Sequence, residues 1–177
     1  AQYNNMKILP SAATSRGERW KFAVTPSDSF GALGTRIESS SVLIQNQVPI
    51  VQNIKITGET GDITITFDLI DLDNDPCQLK VWYRKPVGNT DVLSEKRAAT
   101  IKEASQGASV VTNVKPGTGL IITWRSKEDE PSGKGDYLLG IIPNDEFQDG
   151  GEANSPRFPL DNNDAPTASS AVITPAK

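Results

Sequence analysis

A stretch of this chain occurs twice. Displacing the sequence by 117 residues places Pro26, Asp28, Phe30, Gly34, Asn46 and Pro49 on Pro143, Asp145, Phe147, Gly151, Asn163 and Pro166, without a gap. The apolar positions follow: Trp20 meets Tyr137, Phe22 meets Leu139, Val24 meets Ile141, Leu43 meets Leu160, and Ile56-Thr57 meets Ile173-Thr174. A repeat of domain length makes the chain modular, because each unit has to close its own core. The phase of the repeat sets the boundaries. Residues 1–48 read as the C-terminal half of one unit, 49–165 as a complete unit, and 166–177 as the first strand of a following unit or a donor strand. A window through a longer array has this phase, and so does a subunit that exchanges strands with its neighbours. Both point to architecture rather than catalysis.

The local pattern is that of strands. Arg19 to Thr25 alternates, with Trp20, Phe22 and Val24 directed inward, and Asp62 to Leu69 alternates with Ile63, Ile65, Phe67 and Leu69 on one face. Further strands are expected at Ser41–Ile44, Ile50–Thr57, Leu79–Arg84, Ala108–Asn113, Leu120–Arg125, Asp136–Ile142 and Pro156–Leu160. Turn chemistry separates them, most clearly at Gly58–Gly61 and Lys115–Gly119. Residues 85–106 are the least regular, and Ser94–Ala104 contains enough helix formers for a short helix. Short strands at this spacing predict an all-β fold, an antiparallel two-sheet sandwich.

Composition removes several function classes. Asp and Glu number 22 against 18 Lys and Arg, so no basic face is set aside for nucleic acid. There is no His, hence no Ser-His-Asp arrangement and no imidazole metal ligand. The single Cys77 forms no internal disulfide and no cysteine-cluster zinc site, and it reads as a partly buried, inert thiol. No apolar run reaches the ~18 residues of a membrane span. Neither a Gly-x-Ser-x-Gly elbow nor a phosphate loop occurs, and no carboxylate pair is singled out for glycoside cleavage. The chain is therefore expected not to be an enzyme.

The phrase Gly17-Glu18-Arg19-Trp20-Lys21-Phe22-Ala23-Val24-Thr25-Pro26-Ser27-Asp28, followed by a Gly-containing loop, an apolar strand and Asn46-x-x-Pro49, resembles the closing half of Ig-like tandem repeats. These are the polycystic-kidney-disease-type and cadherin-like repeats of bacterial and archaeal surface or secreted proteins. The segment Phe67 to Pro76 looks like the acidic loop after their second strand. The resemblance touches most of 17–166 and implies an Ig-like sandwich acting as spacer, stalk, adhesin, filament or cell-coat subunit, or accessory module of a secreted enzyme. The segment 85–106 departs from the compact pattern.

One cluster could carry metal chemistry. Asp71, Asp73 and Asp75 place three carboxylates within five residues, and such charges repel unless a cation or water intervenes. Calcium takes six to eight oxygen ligands in irregular geometry, so it is the candidate cofactor. Asp145 and Asp149 could approach from another strand end, as could Glu128, Asp129 and Glu130. The loop is no EF-hand: Pro76 stands where Gly is needed and Trp82 where the bidentate Glu belongs. The competing reading is a solvated acidic turn. The repeated Asp28 and Asp145 each read as a junction ligand or, preferably, as a cap on a turn. Trp20, Trp82, Trp124, Tyr83 and Tyr137 invite a sugar-stacking reading, although strand alternation directs only one of Trp82 and Tyr83 outward.

Two readings of function emerge. The first is a non-catalytic structural module of an extracellular surface, cell-coat or filament protein, calcium-rigidified or strand-exchanged. Its partners are neighbouring repeats or like subunits, and adhesion falls within its range. In the strand-exchanged version Ala171–Thr174 of one chain completes the half unit of the next by strand addition. The alternative is a carbohydrate-binding or spacer module of a secreted enzyme, with a glycan as partner.

Overall fold

Short alternating segments bounded by Gly, Pro, Asn and Asp pair as antiparallel strands throughout the described residues. The computed structural model describes residues 6, 8–10, 13–88, 90 and 92–165. They fall into two units, 1–47 and 48–177. The expected strand in 166–177, with its Ala171–Thr174 donor segment, lies outside the described residues.

The first unit holds four two-residue strands: β1 (Arg19–Trp20), β2 (Ala23–Val24), β3 (Ile37–Glu38) and β4 (Val42–Leu43). They form one long folded-back hairpin, with β2 on β3 and β1 on β4. The expected inward face is not buried within this unit. Phe22 is 55% exposed, Val24 61% and Val42 62%. Trp20 is half-buried, and a single hairpin has no second layer to cover an apolar face.

The second unit is a closed antiparallel sandwich. One sheet has the order β10 (Gly117–Arg125), β6 (Asp62–Ile70), β5 (Ile50–Thr57). The other is built on β7 (Cys77–Arg84), which pairs along one edge with β11 (Lys134–Asn144) and along the other with β8 (Arg97–Ala98) and β9 (Val110–Val114). The far edge of β11 pairs with β12 (Ala153–Asn154) and β13 (Phe158–Asp161). Ile63, Ile65, Phe67 and Leu69 of β6 are essentially inaccessible and face Leu79, Val81, Leu139 and Ile141 across the core, with Trp124 at its centre. Burying each such side chain favours folding by ~1.5–3 kcal/mol before entropy is counted. Asp68 steadies the outer sheet, accepting from Asn53 Nδ2 (2.7 Å) at a bulge in β5 and from the Gly119 N–H (2.8 Å) at a bulge in β10.

Several local expectations change. No helix forms at Ser94–Ala104, where β8 lies instead; the one helix among the described residues is the single turn α1 (Ser126–Asp129). It follows β10 directly and is too short to leave an amphipathic signature. No helix here is long and apolar enough to cross a membrane.

The repeat is visible in three dimensions, with one correction. The Phe22 N–H donates to Ser39 Oγ (2.9 Å), Ser39 Oγ donates to the Ser40 carbonyl (2.8 Å), and the Ser39 N–H returns to the Phe22 carbonyl (2.8 Å). In the second unit Leu139, Ser155 and Pro156 make the same three bonds at 3.1, 2.7 and 2.8 Å. Phe22 and Leu139 differ by 117 positions, but Ser39 and Ser155 differ by 116. The strand registers agree: β1 pairs Trp20 with Val42, and β11 pairs Tyr137 with Phe158. One residue is therefore inserted in the first unit, within the Asp28–Ala32 turn. Gly34 corresponds to Gly150 rather than Gly151, both closing the turn on Pro26 and Pro143 at 2.8 and 2.7 Å. Val42 corresponds to Phe158, Ile44 to Leu160, and Asn46 to Asn162 rather than Asn163.

Candidate functional site

The acidic corner lies where β6 hands over to β7. Asp71 ends the strand and turns its carboxylate back over the loop. Its Oδ1 accepts from the Asp73 N–H at 2.8 Å and the Asp75 N–H at 3.4 Å, and its carbonyl accepts from the Asn74 N–H at 3.2 Å. Asn74 takes a positive φ of 61°, which Asn tolerates because its short amide competes with the backbone. These bonds hold carboxylate oxygens of Asp71, Asp73 and Asp75 within 4.8 Å of one another. Asp71 is 7% exposed, Asp75 half-buried and Asp73 exposed. The second oxygen of Asp71 is buried and accepts no hydrogen bond.

Electrostatics follow from that placement. Burial is the main cause raising the Asp71 pKa; the two backbone donors oppose it, and the charges of Asp75 and Asp145 add to it. Cys77, 1% exposed, has its thiol pushed up to about 11, first by burial and then by the charges of Asp71, Asp145 and Asp75. Such a thiol stays protonated at neutral pH and is a poor nucleophile. The charges of Asp71, Asp75 and Asp145 thus converge on one corner. Three carboxylates with one buried, unserved oxygen can hold a hard cation through oxygen, and calcium suits such a set.

Asp145 shares this corner, and the remaining predicted residues serve other places. Asp145 is 1% exposed and caps its own turn, accepting from the Phe147 N–H (2.9 Å) and the Gln148 N–H (2.7 Å). Asp28 does the same for Phe30 and Ala32 at 2.9 and 2.8 Å. Asp149 accepts from Asn144 at 2.8 Å. Glu128, Asp129 and Glu130 do not reach the acidic corner. Glu128 pairs with Arg125 at 3.1 Å. Asp129 accepts from Trp124 Nε1 (2.6 Å), the Thr100 N–H (2.7 Å) and Thr100 Oγ1 (2.6 Å). Glu130, almost fully buried, accepts from Tyr83 Oη (3.0 Å), Lys85 Nζ (3.0 Å) and Arg97 (3.3 Å). Desolvation pushes Tyr83 and Tyr137 up to about 12, so both phenols remain protonated donors.

Asn162 completes this polar clamp. Its Oδ1 accepts from the Gly61 N–H at 2.9 Å, and its Nδ2 donates to Ser126 Oγ at 3.0 Å and the Glu130 carbonyl at 2.9 Å. It ties the β5–β6 turn to α1 and to the end of β13. The clamp was not legible beforehand because its members are 30 to 100 positions apart. Among the described residues the tyrosines and tryptophans form no exposed row: Trp82, Tyr83, Trp124 and Tyr137 are buried, and Trp20 is half-buried. Trp82, which alternation turns away from the core, lies across Gly140, with Lys96 4.4 Å and Arg84 5.4 Å from its ring centre.

Comparison with protein families, with curated proteins and with solved structures gives no match.

Proposed function

We propose that the chain is a non-catalytic structural module of an extracellular surface, cell-coat or filament protein, built from Ig-like repeats of the polycystic-kidney-disease or cadherin-like kind. The observation that supports it most is the duplicated three-bond motif of Phe22–Ser39–Ser40 and Leu139–Ser155–Pro156. A chain built from like modules carries such a duplicated local plan. Beside the core, half-buried Asp129 is spent on Trp124 and Thr100, and buried Glu130 on Tyr83, Lys85 and Arg97. The test is immunogold labelling of source cells with antibodies against 48–165, together with the denatured mass of the labelled species. Abundant label on a surface layer or filament is expected. Label confined to a scarce internal enzyme overturns the reading.

Calcium at Asp71, Asp73 and Asp75 is part of this proposal. The buried, unserved Asp71 oxygen supports it, because a cation supplies what the protein leaves out. A bound cation would fix the β6–β7 corner and stabilise the folded state by mass action. Melting temperature rises with calcium over chelator in the native chain and not in Asp71→Asn. Equal melting in both conditions removes the cation from the proposal. Asp145 belongs to the proposed set as well: one of its oxygens caps its own turn, as one oxygen of Asp71 does, and its charge bears on Asp71 and Cys77.

A further inference from the structure

The first unit presents the face that the second unit covers. Through the one-residue correction, Phe22, Val24 and Val42 hold the places of Leu139, Ile141 and Phe158. The first three are more than half exposed, whereas Leu139 and Ile141 are inaccessible and Phe158 is 7% exposed. In the second unit the cover is known: the β10-β6-β5 sheet lies over this face, and β7 pairs along Leu138–Asn144. The corresponding edge in the first unit is Lys21–Ser27. Among the described residues it has no strand partner along its outer side.

We infer that the first unit is the receiving half of a sandwich and binds the front half of a further repeat, built on the plan of Ile50–Arg125 but carrying a small side chain where Trp82 stands. This rests on the repeat reading above. The restriction on side chain comes from the sheet's outer surface. Gly140 lies directly opposite Trp82, and a Cβ there would come within 2.1 Å of the indole. The first unit has Ala23 at that place. A strand with the β7 sequence meets that methyl group; a strand with Ala or Gly at the Trp82 position does not. A second copy of this chain is thereby disfavoured twice, since its 50–125 also already serves its own Leu139 face. A single donated strand would supply only the counterpart of β5 and leave the β6, β7 and β10 places empty.

The test extends the full chain at its N-terminus with a copy of 49–130 in two versions, native and Trp82→Ala, and follows amide exchange by mass spectrometry. Exchange reads the opening of a strand directly. In the unextended chain the amides of 19–25 exchange quickly at every protein concentration. In the Trp82→Ala extension they slow by at least a hundredfold, and in the native extension they slow less. Quick exchange in both extensions, with 134–144 still protected in the original unit, overturns the docking and leaves the repeat reading intact. Equal protection by both versions overturns the small-residue restriction. Concentration-dependent protection of the unextended chain overturns the proposal in favour of a second copy. The repeat reading itself fails by a different result, loss of surface label, so the two failures are distinguishable.

Discussion

Residues 17–46 and 134–162 are two executions of one hairpin plan. They share the serine that bridges Phe22 or Leu139 to the next carbonyl, the aspartate that caps the turn, and the glycine that closes it. They differ in what lies over them. The second hairpin is a continuous eleven-residue strand, β11, paired on both edges and buried on one face. The first breaks into two-residue pieces with its apolar face exposed. Local sequence thus sets the fold of the hairpin and its turn, while strand length and burial come from the partner sheet. Long-range packing, more than intrinsic propensity, makes a strand.

The comparison breaks most visibly in the core. Leu139→Ala is expected to cost about 2–5 kcal/mol in urea unfolding, because a fully buried side chain leaves a cavity. Its counterpart Phe22→Ala should stay within about 0.5 kcal/mol, as surface changes do. A cost above 2 kcal/mol for Phe22→Ala would mean that the first unit is already covered.

Next in size is the outer-face notch. Gly140→Ala forces the methyl group into the Trp82 indole and should cost about 1–3 kcal/mol, the usual range for overpacking. Adding Trp82→Ala should recover part of that loss, measured as a double-mutant cycle. Ala23→Gly, at the matching place, should be silent apart from ~0.5–1 kcal/mol of backbone entropy. Strictly additive effects at 140 and 82 would show that the notch is not shape-matched.

The serine pair sharpens the contrast at a smaller scale. Ser155→Ala leaves the buried Leu139 N–H without its acceptor and should cost about 1–2 kcal/mol. Ser39→Ala should cost little, since water reaches the exposed Phe22 N–H. Similar losses at both sites would place the first hairpin in a dry environment.

The smallest effect concerns pH. Asp71 has its folded-state pKa raised by burial, so in chelator the folded state holds its proton more tightly than the unfolded state. Stability contributed by this site therefore grows as pH falls through the folded pKa, above the ordinary carboxylate value of 3.8. Asp68 and Asp161 behave oppositely. Their pKa values are lowered, chiefly by Asn53 and Lys134, and their contributions are lost below 3.8. Melting temperature in chelator should gain a rising component on mild acidification that Asp71→Asn abolishes, and calcium, which favours the deprotonated carboxylate, should remove it over the same pH range.

Much of this was legible in the sequence. Ile63, Ile65, Phe67 and Leu69 announced β6 by alternation, and all four are inaccessible. The acidic triad was evident from spacing and does converge. The insertion beside Asp28 was hidden because a turn absorbs one residue without disturbing either strand's pattern. Trp82 defeated the inside–outside rule because the missing side chain of Gly140, 58 positions away, makes an outer surface as dry as a core. The Glu130 clamp was invisible for the same reason: Tyr83, Lys85 and Arg97 meet it only through tertiary folding.

The Trp82–Gly140 contact bears also on how such a chain avoids misfolding. Neighbouring modules of like sequence are prone to exchange strands during refolding, trapping tangled species. A strand bearing Trp82 meets two hairpins of nearly the same plan in this chain. One offers an empty notch and the other a methyl group. The bulky indole then serves as an address label, steering the nascent strand to Gly140 and away from Ala23.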